Sequence, residues 1–193
     1  MTRRLIHDLL SLFVNAHYYK RRRYEMKLIV EYAKNQGFTD VLVLSEDRGE
    51  VNSLVLCHLP HGPTAYFKVQ SHRLRRDIEG HGAPTSHEPE VILNNFTTRL
   101  GHTIGRMFAS LFPQTPNFRG RRVVTFHNQR DFIFIRHHRY IFDDAKTARL
   151  QELGPQLTLK LQSLQHGTFD TFFGEYEWKP KKEHKPSRRK FYL

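Results

Sequence analysis

Cysteine is nearly absent. Cys57 is the only one in 193 residues, so no disulfide can form within the chain, and a small disulfide-stapled fold is excluded. A reducing compartment fits that composition. Long apolar runs are missing as well: no window approaches the roughly 18 consecutive apolar residues that a membrane span needs. The start, MTRRLIHDLLSLFVNA, carries His7 and Asp8 within its apolar stretch and reads as an amphipathic helix rather than a secretory signal. Acids are scarce, with 19 Asp and Glu against 31 Lys and Arg, leaving a net charge of +12. Such an imbalance says little about fold and much about partners, because a basic surface attracts phosphate in nucleic acid or in an acidic membrane. The charge is spread over many short segments rather than one basic helix, which favours nucleic acid.

The signatures of common chemistries are also lacking. The chain has no glycine-rich phosphate loop of either standard spacing and no nucleophile elbow. Glu46 and Asp47 close an apolar run where α/β active sites often lie, but a surface turn explains them equally well. Cys57, His58 and His61 stand close together yet fall short of a zinc pattern, and His137 and His138, being adjacent, would point to opposite faces of a strand. No enzyme activity, metal or cofactor is expected.

What is present is enough for a folded protein: 38% hydrophobic and 12% aromatic residues can build a core of ordinary size. Leu5, Ile6, Leu9, Leu12 and Phe13 share one face of a first helix that Thr2 can cap. HYYKRRRYE could hold a short strand ending in a basic run. A second helix is expected from Tyr24 to Gln36, with Leu28, Ile29, Tyr32 and Ala33 inward and Gly37 ending it. DVLVLSED, NSLVLCHLP and TAYFKVQ read as strands, the last two separated by the turn signal PHGP. HRLRRDIEGHGAPTSHEPE reads as a short basic helix and then a loop. After the brief strand VILNNF, Thr97 or Thr98 caps a third helix whose Leu100, Ile104, Met107, Phe108 and Leu111 face one way. Gly101 and Gly105 in it imply close approach of another backbone, since each costs a helix about 1 kcal/mol relative to Ala. QLTLKLQ alternates as a half-buried strand. The order, helix then strands, occurs twice, which suggests α/β architecture in two similar halves.

The stretch RGRRVVTFHNQRDFIFIRHHRYIF, residues 119 to 142, concentrates the candidate site. It reads as a hairpin turning at NQR, and it carries six arginines and three histidines among its apolar residues. Antiparallel pairing brings Arg119, Arg121 and Arg122 near Arg136, His137, His138 and Arg139 where the strands leave the core; Arg130 lies in the turn. Asp131, Asp143 and Asp144 are too few to neutralise six arginines. Guanidinium forks grip phosphate through paired hydrogen bonds, and Tyr140 and the histidines could stack on unpaired bases. Smaller basic sets point the same way: Lys20, Arg21, Arg22 and Arg23; Arg73, Arg75 and Arg76; and, in the proline-containing tail from Lys179 to Leu193, Lys181, Lys182, Arg188, Arg189 and Lys190. The tail is expected to have no fold of its own, and to serve either RNA contact or nuclear import. The competing expectation is a protein-interaction module whose basic face docks an acidic protein partner.

ILNNFTTRLGHTIGRMFASLFP, GRRVVTFHNQRDFIFIRHHRYIF, ELGPQLTLKLQSLQHGTFD and GEYEW with SRRKFYL closely resemble the Brix-domain proteins, and DVLVLSEDR, LCHLPHGPTAYFKV and LRRDI fit the same family. The match covers nearly the whole chain. The resemblance implies a fold of two similar α/β halves, each like the anticodon-binding domain of certain aminoacyl-tRNA synthetases, here 1–95 and 96–178 with a basic tail 179–193. It implies a non-enzymatic factor that binds precursor ribosomal RNA in the nucleolus of the nucleus during large (60S) subunit assembly. Other assembly factors are the implied protein partners, maintenance-of-killer protein sixteen among them. Family members usually begin with a strand and turn of the type KVLITTS-RP. This chain starts directly at its first helix, so either the sequence is a truncated form or the first half lacks its first strand.

Overall fold

The computed structural model describes residues 2–144, 147–169, 174–180 and 191–193. Within them the chain is mixed α/β, as expected, and one mostly antiparallel sheet dominates it. Two helices, α1 (Thr2–Leu12) and α2 (Met26–Asn35), precede β1 (Asp40–Asp47), β2 (Glu50–His58) and β3 (Thr64–Arg73). A loop with one 3-10 turn leads to β4 (Glu90–Asn94) and α3 (Arg99–Ala109). β5 (Arg122–Gln129), β6 (Phe132–Asp144), β7 (Thr147–Glu152), β8 (Gln156–Gln165) and β9 (Tyr176–Trp178) follow.

The strands form a single sheet in the order β1-β2-β3-β8-β6-β5-β4, with β7 added to β6 and β9 to β8. Only β4 and β5 pair in parallel; the other pairs are antiparallel. The sheet is continuous from residues 1–95 into 96–178: β3 pairs with β8 along its whole length, and β4 pairs with β5. Beside β5, β4 fills the sheet's last position; no described strand fills the corresponding position beside β1.

Alternation puts the apolar side chains of the central strands on one face. Phe67, Phe126, Ile133, Ile135, Leu157 and Leu159 are buried there under Leu5, Leu9 and Leu12 of α1 and Ile104, Met107 and Phe108 of α3. Phe108 stacks on Phe126 with ring centroids 4.6 Å apart. A second, smaller cluster of Val30, Cys57 and Leu59 places α2 on the opposite face, near the β1–β2 end. The rest of that opposite face, over β3, β8, β6, β5 and β4, has no described helix upon it.

Several local expectations need correction. Residues 17–25 form no strand, and Thr2 is itself helical, its hydroxyl donating to the Glu46 carboxylate. The second helix buries Met26 and Val30 and leaves Leu28 and Tyr32 exposed. The two apolar stripes on it are of similar strength, and only the position of the sheet chooses between them. The basic helix expected after β3 is a single 3-10 turn, because β3 itself runs on to Arg73. β7 has no counterpart in the sequence reading, since TARLQE offers only Ala148 and Leu150 as alternating apolar residues and both are exposed.

Thr98 caps α3, accepting from the Gly101 amide at 2.9 Å. Its hydroxyl also donates to the Tyr192 carbonyl at 2.6 Å, while Asp131 accepts from the amides of Tyr192 and Leu193 at 2.7 and 2.9 Å. Leu193 is buried in the main cluster. The expectation of an unanchored tail therefore fails at its final residues. Here the two glycines of α3 separate. A Cβ on Gly101 would lie 2.8 Å from the backbone carbon of Leu193, whereas one on Gly105 would meet the Leu93 side chain at an ordinary 3.4 Å. The expected close backbone approach belongs to Gly101. Gly101→Ala should lower the melting temperature despite alanine's better helix propensity. Gly105→Ala should raise it, by up to about 1 kcal/mol of stability. Thermal unfolding of the two variants checks the pair; a lower melting temperature for Gly105→Ala would contradict the assignment.

Candidate nucleic-acid interface

The hairpin pairs as the sequence suggests, Arg122 opposite Arg139 and Thr125 opposite Arg136, with Arg130 and Asp131 both at positive φ in its turn. Alternation then divides its basic residues between the two faces of the sheet. Arg122 and His137 go to the helix-covered face and are buried, 1% and 0% exposed. Arg122 donates from Nη1 to the carbonyls of Thr85 and His87 (2.6 Å for the latter), from Nη2 to the Ser11 carbonyl at 2.7 Å, and from Nε to His137 Nε2 at 3.2 Å. His137 Nδ1 donates in turn to the Gly154 carbonyl at 3.0 Å. Arg75 stands alongside, its backbone amide and guanidinium held by Asp8, Ser11 and the Leu153 carbonyl. These three residues are not part of an RNA-facing set: their polar atoms bind the protein itself. The expectation that the strand leaves the core at residue 136 is corrected too, since burial alternates through His137.

Burial, followed by repulsion from Arg139 and Arg75, pushes the Arg122 pKa down to about 10, so it stays charged at neutral pH. His137 is pushed down to about 3, by burial first. Its partners require the neutral ring, with the proton on Nδ1 and Nε2 free to accept from Arg122. An unfolded histidine titrates near 6.5, so the unfolded chain takes up a proton here that the folded one refuses. His137 thus contributes stability that is fully present above about pH 6.5 and is lost as pH falls toward about 3. The melting temperature should fall between about pH 7 and 5, above most carboxylate titrations, and His137→Gln should flatten that fall. An unchanged slope in the variant would assign it to another group.

The opposite face is built differently. Register pairs Arg73 with Gln156 and places Arg136, Thr125 and Ile92 in one cross-strand row, Ser71, Thr158, Phe134, His127 and Asn94 in the next, and Lys68, Lys160, Phe132 and Gln129 in a third. Residues directly opposite in adjacent strands project to the same side, so this face interleaves aromatics with cations. The Arg136 guanidinium lies 5.6 Å from the Phe134 ring centre and Lys160 Nζ 5.1 Å from that of Phe132. His127 and Phe134 have centroids 6.4 Å apart. Arg136 also donates to the carbonyls of Ile135 and Leu157 at 2.9 and 3.2 Å, and burial lowers its pKa. His138 and Tyr140 continue the face along β6. The Tyr140 hydroxyl donates to Glu90, which raises its pKa to about 12, and burial lowers that of His138.

The other expected residues scatter. Arg119 and Arg121 are exposed beside the start of β5, and Arg139, on the helix side, donates to the Ala83 carbonyl at 2.8 Å. Arg76 is exposed and pairs with Asp77 at 3.4 Å. Arg130 lies at the far end of the hairpin from Arg139. Lys20, Arg21, Arg22 and Arg23 are exposed in the α1–α2 connection, where Tyr19 packs on Phe38 beside the Cys57 cluster. Lys181, Lys182, Arg188, Arg189 and Lys190 lie outside the described residues. Lys68, His127, Phe132, Phe134 and Lys160 were not singled out from the sequence; alternate positions on four adjacent strands, β3, β8, β6 and β5, were the available signal. As for the metal-like triplet, Cys57 Sγ accepts from the Thr64 hydroxyl at 3.2 Å and His58 pairs with Asp40 at 2.7 Å.

The open sheet face, backed by helices on the other side, thus carries rings that can stack beside cations that can meet anions. The family follows from comparison. The Brix domain model matches residues 1–163, and the chain belongs to the Brix domain family. Among curated relatives, ribosome production factor 1 of Danio rerio is 57% identical over 100% of this chain and 59% of its own length. Ribosome production factor 1 of Saccharomyces cerevisiae is 49% identical over 96% of this chain and 62% of its own length. The chain thus spans about 60% of the length of these relatives. A solved structure, a probable ribosomal biogenesis protein from Aeropyrum pernix, superposes with a TM-score of 0.55 at 16% identity, covering 82% of this chain and 89% of that one. That likeness concerns the fold.

Proposed function

We propose that this chain is an RNA-binding, non-enzymatic scaffold in the assembly of the large ribosomal subunit, acting on precursor ribosomal RNA in the nucleolus. The relatives named ribosome production factor 1 support the setting, and the open sheet face supports the mode of contact. The single observation that carries RNA binding is the cross-strand set of Phe132, Phe134 and His127 interleaved with Lys68, Lys160 and Arg136 on a face that no described helix covers. Unpaired bases stack on such rings while the cations meet the backbone phosphates. Arg73, His138 and Tyr140 extend the same face, and Arg119 and Arg121 are exposed beside the start of β5; Arg139, on the helix side, is not part of it. The protein partners would be other assembly factors, maintenance-of-killer protein sixteen among them.

The test is a salt titration with single-stranded precursor RNA. Lys68→Glu with Lys160→Glu should weaken binding and lower the slope of log affinity against log salt by roughly 1.4 to 1.8, at about 0.7–0.9 per phosphate contact. Arg3→Glu with Arg4→Glu, on the exposed side of α1, changes net charge equally and serves as the control. Equal slopes for the two double variants would reject the sheet face as the RNA surface.

A further inference from the structure

At the edge of the sheet formed by β4, α3 overhangs the strand and leaves a groove of about 660 Å³ lined by Leu93, Phe96, Arg99, His102, Gly105 and Arg106 among others. Leu93 pairs in register with Phe126, so it faces the helix side and floors the groove with Phe96. Arg99, His102 and Arg106 are spaced three and four apart, which puts them on one stripe of the helix, and all three are exposed. Among the described residues neither Arg99 nor Arg106 has a carboxylate partner. The outer edge of β4 pairs with no described strand, and Ile92, on the other face, is 47% exposed.

An unpaired edge presents a row of backbone donors and acceptors that another strand can satisfy. Natural proteins commonly blunt such edges with charge on the strand itself; β4, EVILN, has only Glu90 at its start, and Glu90 accepts from Tyr140. The charge here lies instead beside the edge and has one sign.

We propose that the β4 edge and the β4–α3 groove form a docking site for an extended protein segment with acidic residues at alternate positions. Added to β4, such a segment sends alternate side chains to opposite faces. On the helix side, carboxylates reach Arg99, His102 and Arg106 while their methylene stems cover Leu93. On the other side, apolar residues cover Ile92. RNA has no match for the backbone row of a strand edge, which is why the peptide is the occupant. The site is separate from the open sheet face and does not depend on RNA being bound there.

The probe is a fluorescein-labelled octapeptide alternating glutamate and valine, read by anisotropy against the full chain. Arg99→Glu with Arg106→Glu should weaken it by at least roughly tenfold, as expected for two lost charge-assisted contacts, while circular dichroism reports the fold. Two further peptides, N-methylated on one or the other set of alternate amides, need no change in the protein. One should bind like the parent and the other should lose binding, because only alternate amides of an added strand face the edge. Equal affinity for both N-methylated forms would overturn strand addition. Unchanged affinity in a folded double variant, or loss of RNA rather than peptide binding in it, would overturn the acidic-peptide assignment.

Discussion

The Arg122 guanidinium sits inside the protein with no carboxylate among the described residues paired to it, and the arrangement of one side of the molecule depends on how it is satisfied. Carbonyls of Ser11, Thr85 and His87 and the ring of His137 take its hydrogen bonds. Those acceptors belong to the end of α1, to the long loop before β4 and to β6. Through His137 the network reaches Gly154, between β7 and β8, and Arg75 ties Leu153 and Asp8 to the same point. A buried charge is tolerable only when its donors are met. The network therefore holds α1 and the loop against the sheet, because any shift of one segment would strand a donor of the others.

That constraint has a consequence for the surface. A basic hairpin need not be a basic surface throughout, since strand alternation gives every second residue to each side. Arg122 and His137 are used inward; Arg136, His138 and Tyr140 fall on the outer face. There they join cations and rings from β3, β5 and β8 that are far away in the chain. The helices lie over the main core face, and α2 reaches the other face only near β1 and β2. The open surface is left over β3, β8, β6 and β5, where the backbone is held by neighbouring strands on both sides.

The two ends of the sheet differ in the same spirit. At the β4 end, α3 is pinned by its Thr98 cap and by the contact of Gly101 with Leu193, and its charged stripe overhangs an unpaired strand. At the β1 end, among the described residues, the outer edge of the strand is likewise unpaired. At β4 the recess under α3 adds side-chain discrimination to backbone pairing.

Much of this was legible in the residues. The helical stripe of Leu5, Leu9 and Leu12 and the alternation of Leu157, Leu159 and Leu161 follow from local periodicity, the hairpin turn follows from the apolar runs on either side of it, and the sequence narrowed the cap of α3 to Thr97 or Thr98, of which the structure uses Thr98. The motifs of the second half indicated the family. Other features required the tertiary structure. Leu28 and Tyr32 or Met26 and Val30 could each have faced inward, and only the sheet's position chose. Arg122 and Arg136 are the same residue type in the same hairpin, and their opposite fates depend on which face α1 and α3 cover. Lys68, Phe134 and Lys160 become one surface only when β3, β8 and β6 are neighbours. Periodicity determines which side chains share a face of one element; the sum of long-range pairings decides which face is buried and which residues from distant segments meet on the one that is not.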